Sequence, residues 1–249
     1  MDDEVNFGFK KVKADLKQKL VNQVFDSVHS RYDVMNDLMS FGIHRLWKND
    51  LISQISDFSG KLLDVAAGTG DITIRFCQKA RAKGVEPQVT ICDINEMMLG
   101  EARKKLIDHG FFKKLDFIGA DAQKLPFKDS SFDYYTIAFG LRNCTDFTKV
   151  ISEAYRVLKS GGKFICLEFS KIDNPIFKKI YEGYSSKIIP IIGSCVTGDR
   201  DSYEYLVESI AVFPSQEELK KLITDCGFEM ARYTNLSQGI VAIHTGYKI

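Results

Sequence analysis

The chain has 249 residues, of which 45% are hydrophobic and 27% charged, as is typical of a globular protein with a sizeable core. Its 34 basic and 33 acidic residues give a formal net charge of +1, which excludes a broad positive surface, so we do not expect nucleic acid as a partner. The six cysteines are scattered without CxxC spacing and the sequence offers no cluster of metal ligands, so we predict no metal site.

The amino terminus, MDDEVNFGFKKVKADLKQKL, opens acidic and lacks the apolar segment of a secretory signal. No apolar run approaches the length of a membrane span. We therefore expect a cytoplasmic protein with reduced cysteines that is soluble or, at most, peripheral at the inner face of the membrane.

Residues 1–58 are predicted to form an amino-terminal helical cap. The pattern from about Lys10 to Phe58 is helical and aromatic, with no strand-like block. From residue 59 to 249 strand and helix signals alternate, beginning with KLLDVA and QVTICD, which predicts an α/β domain whose mostly parallel sheet is covered on both faces. A segment of helical, aromatic character at about 171–212 interrupts this alternation and is interpreted as an insertion.

Local signals define several elements of this α/β domain. The apolar stripe over 96–109 is followed by Gly110, at the position of a helix-ending glycine. The stripe over 146–158 has Asp146 as a candidate N-cap. Near residue 249, FEMARYTNL and GIVAIHTGYK follow one another across a Ser-Gln-Gly turn, which predicts a hairpin and therefore one antiparallel strand.

The stretch LLDVAAGTGDITIRF joins the first predicted strand to a helix through a glycine turn, Gly68-Thr69-Gly70. A phosphate-binding P-loop is excluded because Asp71 follows Gly70 directly, where that motif requires lysine. The third glycine of a dinucleotide fingerprint would fall on Thr73, and Asp71 would repel a pyrophosphate. The turn is therefore predicted to hold a ligand without phosphates.

Two further carboxylates follow the next strands. Asp93 ends the second strand, where it would accept hydrogen bonds from both hydroxyls of a ribose. Asp121 follows the third strand, where a carboxylate and a backbone N–H would recognise an adenine edge. Because ligands of open α/β sheets bind at this edge, ribose and adenine recognised without a phosphate cradle indicate S-adenosylmethionine, with its sulfonium and amino-acid end over Gly68–Gly70.

Longer blocks of the sequence resemble the ubiquinone/menaquinone biosynthesis C-methyltransferase family. They include YDVMNDLMSFG, LLDVAAGTGD, GADAQKLPF, AFGLRN and GDRDSYEYLVESI, and they span nearly the whole chain. The resemblance implies a Rossmann-like class I methyltransferase fold with a seven-stranded sheet. It also implies methylation of a ring carbon of a polyprenylated quinol, with Thr69, Asp93, Asp121 and Ala122 on the cofactor positions. Many members have Ser where this chain has Ala138, so we predict no hydroxyl contact there.

The reaction requires a nucleophilic ring carbon, which a reduced quinol offers and an electron-poor quinone does not. A cation that stabilises the quinolate would activate the ring, and Arg142 of AFGLRN is our candidate for this catalytic role. The alternative is that Arg142 serves only as a helix-capping arginine or as an ion-pairing partner of Asp146. Asn143 is predicted to bind a ring oxygen of the substrate, and Tyr32 is predicted to close the substrate pocket.

Expected partners follow from this substrate. They are the polyprenylated quinol, a methoxy-polyprenyl-benzoquinol or a demethylmenaquinol or both, and the membrane surface that holds its tail. Other enzymes of quinone biosynthesis and further copies of the chain are candidate partners. The insertion at about 171–212 is interpreted as a helical lid, because its apolar stripe is bordered by lysines as in membrane-surface helices, the alternative being a helix packed on the core.

Three other functions are compatible with a cofactor site of this kind. The enzyme could methylate a different phenol or lipid. A nucleic-acid amino-methyltransferase is disfavoured, because it would carry an Asn/Asp-Pro-Pro-aromatic turn where this chain reads Ala-Phe-Gly-Leu. A non-catalytic scaffold subunit of a quinone-synthesis complex is disfavoured by the intact AFGLRN block.

Overall fold

The computed structural model describes residues 4–28, 40, 42–172 and 200–249. These residues form strands β1 (Glu4–Phe7), β2 (Lys10–Lys13), β3 (Lys61–Val65), β4 (Gln88–Asp93), β5 (Leu115–Gly119), β6 (Phe132–Ala138), β7 (Leu158–Phe169), β8 (Glu229–Leu236) and β9 (Val241–Tyr247). The helices are α1 (Ala14–Val28), α2 (His44–Ser53), α3 (Asp71–Ala82), α4 (Glu96–Asp108), α5 (Phe147–Val157), α6 (Arg200–Val212) and α7 (Gln216–Asp225).

The larger sheet has seven strands in the order β5-β4-β3-β6-β7-β9-β8. Neighbours from β5 to β7 are parallel, whereas β9 runs antiparallel to both β7 and β8. This arrangement confirms the predicted α/β fold with one antiparallel strand. The order reverses direction between β3 and β6, and ligands of open α/β sheets bind at such a switch point, outside the carboxyl ends of the strands.

Side-chain caps fix where three helices of the domain begin. The Asn95 side chain accepts the backbone N–H groups of the first turn of α4, and the predicted cap Asp146 accepts that of Lys149 in α5. Ser215 and Glu218 form a reciprocal capping box at the start of α7. Gly110, with φ +74°, follows α4 as predicted, in the left-handed region that glycine tolerates best.

The amino-terminal strands β1 and β2 form a two-stranded antiparallel hairpin that the sequence pattern did not indicate. Its second strand reads KKVK, which is too charged and too short to suggest a strand. The hairpin packs on α6: the Phe7 and Tyr205 rings stack with centroids 4.3 Å apart, and Phe9 N donates to Glu208 Oε2 over 3.1 Å. Tertiary contact, and not local propensity, therefore accounts for these strands.

Two apolar clusters cover the two faces of the sheet. Trp47, Leu51 and Ile52 of α2 are buried in the same cluster as the β3 and β4 side chains. The opposite face packs mainly against α5 and α7. Together they hold the strands, and hence the carboxyl-edge loops that carry the candidate site, in fixed register.

Five cysteines lie in the described part of the chain, and all are free thiols; Cys195 lies outside the described residues. None of the described helices is both long enough and apolar enough to cross a bilayer.

Candidate functional site

The glycine turn after β3 is a left-handed corner that brings its backbone to the mouth of a cavity. Gly68 and Gly70 have φ of +55° and +79°. Ala66 also has a positive φ, +49°, which residues other than glycine seldom adopt. A Cβ on Gly70 would lie 3.1 Å from the Cβ of Ala102, so a side chain there would push α4 away from the turn. Gly68 and Ala66 both line the cavity.

Asp93 is bound to this turn. Its Oδ2 accepts from Gly68 N at 2.8 Å, and its Oδ1 accepts from Asn95 N at 2.9 Å. Burial raises the pKa of the carboxyl, and the backbone N–H bonds partly oppose that rise. Each oxygen retains a lone pair for a ligand hydroxyl, and Asp93 lines the cavity as the sequence predicts.

Asp121 and Ala122 lie across the same cavity from the turn. The Asp121 carboxylate is oriented by Gln123, whose backbone N and Nε2 donate to it at 2.8 and 3.2 Å. Ala122 is 8% exposed and presents little more than a methyl group and its backbone. The two sequence-predicted residues therefore lie at the same cavity as Asp93 and Gly68.

Helix α1 contributes side chains to the lining of the cavity. Gln18, Val21 and Asn22 line the cavity together with Asn143 and the residues at the ends of β3, β4 and β6. The Lys17 ammonium of α1 donates to the Cys144 carbonyl at 2.7 Å, and burial lowers the pKa of this lysine. The helix is thereby attached to the loop that follows β6.

A second, smaller cavity lies next to the first at the glycine turn. Ala66, Gly68, Ala138 and Phe139 line both. Thr69 lines the smaller cavity, and its hydroxyl accepts from Lys105 Nζ at 3.0 Å. Of the turn predicted from sequence, Gly68 therefore lines both cavities and Thr69 the smaller one, whereas Gly70 lines neither.

Below the turn, Thr73 occupies the position of a third fingerprint glycine. Its hydroxyl donates to Asp64 Oδ2 at 2.7 Å, and Thr136 donates to Asp64 Oδ1 at 2.9 Å. Burial is the main cause that raises the pKa of Asp64, to about 6, against the opposing hydrogen bonds. Thr73 is fully buried in this network, so a β-branched side chain does stand where the dinucleotide fingerprint needs glycine for close helix–strand packing. The steric argument against a dinucleotide at this turn therefore remains.

The charge argument made from Asp71 needs correction. Lys48 of α2 lies 2.5 Å from Asp71 Oδ2, and Arg75 lies 3.8 Å from Oδ1. Burial alone would raise the pKa of Asp71, but Lys48, Arg75 and His44 together hold it below its usual value. Because Lys48 neutralises the carboxylate, Asp71 by itself would not repel a pyrophosphate.

Arg142 belongs to a short 3₁₀ turn, Leu141–Asn143, after β6. Its Nη1 donates to Glu168 Oε1 of β7 at 2.9 Å and also to the Phe139 carbonyl. The considered ion pair with Asp146 does not form; Asp146 instead caps α5 and contacts Lys149. Arg142 is 7% exposed and its Nε has no hydrogen-bond partner among the described residues.

Asn143 lines the larger of the two cavities, whereas its chain neighbour Arg142 lines neither. Its Oδ1 accepts from the Tyr205 hydroxyl of α6 at 3.1 Å, and Tyr205 is buried, which raises its pKa above the usual range. The other predicted substrate residue, Tyr32, lies outside the described residues. The predicted lid is described only at 171–172 and 200–212, so most of that prediction also lies outside them.

Sequence reasoning missed Glu168, Lys48, Asp64 and Tyr205. The sequence carried a signal for three of these residues, because each is a charged residue next to apolar residues: Glu168 in CLEF, Lys48 in HRLWK and Asp64 in LLDV. A buried charge is expected only where a partner or a function compensates for its desolvation. Tyr205 had none, because its contact with Asn143 joins segments 62 positions apart.

The donor set matches a ligand that carries hydroxyls and a positive charge. Among the described residues that line the two cavities, the charged side chains are the carboxylates of Asp64, Asp93 and Asp121 and the Lys48–Asp71 ion pair, which leaves the lining net negative. Carboxylates accept from ribose hydroxyls and attract a sulfonium, whereas they would oppose the phosphates of a nucleotide. The site therefore fits S-adenosylmethionine.

Comparison with solved structures supports this fold. A SAM-dependent methyltransferase from Thermotoga maritima is 21% identical, covering 92% of this chain and all of that chain with a TM-score of 0.63. A SAM-dependent methyltransferase from Aquifex aeolicus is 15% identical, covering 96% of this chain and 100% of that chain with a TM-score of 0.54.

Sequence relatives are much closer. A ubiquinone/menaquinone biosynthesis C-methyltransferase of Rickettsia bellii is 54% identical over 247 residues, which is 99% of this chain and 100% of that protein. The protein of the same name in Rickettsia akari is 56% identical over 247 residues, with the same coverage. The model of the ubiE/COQ5 methyltransferase family matches residues 13–248. This confirms the resemblance, the methyltransferase activity and the S-adenosylmethionine cofactor inferred from the sequence: the chain belongs to the ubiE/COQ5 methyltransferase family.

Proposed function

We propose that the protein transfers a methyl group from S-adenosylmethionine to a ring carbon of a polyprenylated quinol in ubiquinone or menaquinone biosynthesis. The substrate is a methoxy-polyprenyl-benzoquinol, a demethylmenaquinol or both. One structural observation supports the proposal within the family: Asn143, the residue that follows the buried Arg142 in the Leu141–Asn143 turn, lines the same cavity as Asp93 and Asp121. A cation near the bound ring would lower the pKa of a quinol hydroxyl, because it favours the negatively charged quinolate.

The cofactor residues divide the ligand between them. Asp93 accepts the ribose hydroxyls on the lone pairs that its backbone N–H bonds leave open. Asp121 and the backbone N–H of Ala122 recognise the adenine edge. Gly68, Thr69 and Gly70 contact the sulfonium and the amino-acid end. When bound, S-adenosylmethionine supplies a methyl group that the positive charge on sulfur activates.

Arg142 acts on the substrate and not on the cofactor. Its guanidinium lowers the pKa of one quinol hydroxyl by favouring the quinolate, which makes the ring carbon nucleophilic. Arginine does not itself deprotonate, so the proton leaves to water. Glu168 and the Phe139 carbonyl hold Nη1 and fix the position of the guanidinium. Asn143 and Tyr32 bind the ring oxygens and close the pocket.

The amino-terminal cap (1–58) and the lid (about 171–212) admit the quinol head while its tail stays in the bilayer. The α1 side chains at the cavity wall and the attachment of α6 to Asn143 support this proposal. The lysines of PIFKKIYEGYSSKIIPIIG would attract anionic lipid while its apolar residues enter the interface. The protein would then meet the inner face of the membrane transiently, alone or with other quinone-biosynthesis enzymes.

Methyl transfer is tested with purified protein, labelled S-adenosylmethionine and a short-tailed quinol. We expect transfer to the ring only while a reductant keeps the substrate reduced. Arg142→Ala should lower kcat about 100-fold and change cofactor affinity by less than about threefold, because an oriented charge of this kind contributes mainly in the transition state. Equal rates with quinone and quinol would contradict the proposal.

The lid is tested separately, with Ile188 and Ile192 changed to Ser. Both residues lie outside the described part of the chain, so this test rests on the sequence pattern. We expect a loss of activity on a long-tailed quinol in anionic vesicles and little change with the soluble short-tailed analogue. An equal loss on both substrates would indicate core damage instead.

A further inference from the structure

A buried ion pair lines the smaller of the two cavities. Lys48 of α2 and Asp71, the first residue of α3, both face it, with Lys48 Nζ 2.5 Å from Asp71 Oδ2. The Lys48 side chain is 7% exposed and that of Asp71 is 32% exposed, so the acid is the more open member. Asp71 Oδ1 has only the longer contact to Arg75, at 3.8 Å.

The charges around the two cavities are one-sided. Among the described residues that line them, Lys48 is the single cation, against the carboxylates of Asp64, Asp71, Asp93 and Asp121. A ligand carboxylate placed near Asp93 or Asp121 would face like charge and meet repulsion. Near Lys48 it would meet a cation in a largely buried place, where a charge-assisted hydrogen bond is stronger than in water, and the adjacent Asp71 would be left to pair with a ligand ammonium.

We propose that Lys48 and Asp71 bind the zwitterionic amino-acid end of the methyl donor. Lys48 receives the α-carboxylate and Asp71 receives the α-ammonium, so that two opposite charges of the protein meet two opposite charges of the ligand. This inference rests on the proposed function, since it takes the methyl donor to lie with its amino-acid end beyond the glycine turn.

The geometry also explains why the pair stands at this place in the fold. Lys48 reaches Asp71 from a helix that packs on α3 and shares its core, so the pair is positioned by elements on both sides. The open Oδ1 of Asp71 leaves a lone pair for a ligand ammonium.

The test compares ligands with and without the amino-acid end. S-adenosylhomocysteine carries it, whereas 5′-methylthioadenosine lacks it and keeps the adenosine. For Lys48→Met, calorimetry should show S-adenosylhomocysteine binding weakened about 10- to 100-fold, the range for losing a hydrogen bond between charged groups. Binding of 5′-methylthioadenosine should change by less than about twofold. Asp71→Asn should give the same pattern with a smaller loss.

Two further variants distinguish the loss of a ligand contact from a folding defect. Lys48→Met with Asp71→Leu removes both charges and leaves no unpaired buried ion, so it should fold and retain the selective loss. Lys105→Met is the matched control: this lysine contacts Thr69 at the same turn but lines neither cavity, so the affinity ratio of the two ligands should not change.

The outcomes separate the two proposals. If the wild-type protein bound neither ligand, the proposed function would fail. If it bound both, and the Lys48 and double variants weakened both ligands equally or neither, the cofactor assignment would stand and the ion pair would be purely structural. A loss confined to the ligand with the amino-acid end supports the inference.

Discussion

Arg142 and Glu168 form an ion pair across the end of the parallel sheet, with Nη1 and Oε1 2.9 Å apart and side chains 6% and 1% exposed. The acid lies on β7 and the base in the turn after β6. Because the two strands are neighbours, the pair connects the candidate catalytic loop to the most buried part of the fold. Glu168 is therefore a positioning residue for Arg142.

The first prediction is that Glu168→Gln damages turnover more than cofactor binding. Without its counter-charge the buried guanidinium should lose its orientation, lowering kcat about 10-fold or more and destabilising the fold by about 3 kcal/mol. The double variant Arg142→Met with Glu168→Leu should recover most of the stability but none of the activity. Urea unfolding and steady-state kinetics measure the two effects; full activity in Glu168→Gln would refute the positioning role.

A second prediction concerns Asp93. Asp93→Ala removes the proposed ribose acceptor and the anchor of Gly68, so affinity for S-adenosylmethionine should fall about 10- to 100-fold. Asp116→Ala, at an exposed acid on the neighbouring strand β5, is the control and should have no effect. NAD should not bind to either protein. Calorimetry measures all of these affinities, and unchanged binding by Asp93→Ala would exclude its role.

The third prediction is a pH dependence caused by Asp64. Its pKa is raised from 3.8 to about 6 in the folded protein, so between these values the folded state keeps a proton that the unfolded state has released. This group therefore stabilises the fold below about pH 4, and the contribution is lost as pH rises through 6, by up to about 3 kcal/mol. Asp64→Asn should abolish that dependence.

The measurement is the free energy of unfolding of wild type and Asp64→Asn from pH 4 to 7. The hydrogen bonds from Thr73 and Thr136 are part of what sets the pKa of Asp64, so the pH dependence of the difference between the two proteins reports the titration of this one group together with its hydrogen bonds. We expect the free energy of unfolding of Asp64→Asn to increase relative to that of the wild type as pH rises. Parallel curves would show that Asp64 is not perturbed.

A fourth prediction follows from the close approach of two turns at the cavity. A Cβ on Gly140 would overlap the Cβ of Ala66, so Gly140→Ala should destabilise the fold by about 1–3 kcal/mol. Ala66→Gly in the same chain should restore stability, because it removes the clash and suits the φ of +49°. Thermal unfolding measures both effects.

Gly100→Ala is the control for this pair. A Cβ there meets nothing within 4 Å, and the residue lies inside α4, so alanine should stabilise the protein slightly. If Gly140→Ala were as harmless as Gly100→Ala, the turns would not be packed as closely as described.

Features that depend on neighbouring residues were predictable from the sequence. Asp93 and Asp121 were placed at the ligand edge because alternating strands and helices imply a parallel sheet. Asp146 and Gly110 were recognised from local helix-end chemistry. The fold class followed from the same local signals and from the family resemblance.

Contacts between distant segments were not predictable in this way. Arg142 selects Glu168, 26 positions later, over the nearby Asp146, because strand pairing brings that carboxylate beside the turn whereas Asp146 is used as a helix cap. Lys48 likewise meets Asp71 only after α2 has packed on the domain. The sequence pattern places such charges among apolar residues but carries no information about their partners.

The position of β9 between β7 and β8 has a consequence for the protein during its synthesis. During translation, β7 is synthesised before its partner β9, and residues 170–240 must follow before β9 can pair with the open edge of β7. An open edge of this kind invites pairing with another chain, so a nascent or truncated chain that lacks β9 should depend on chaperones and aggregate readily. The same delay means that the strand carrying Glu168 is enclosed on both sides only late, when Ala242 has paired with it.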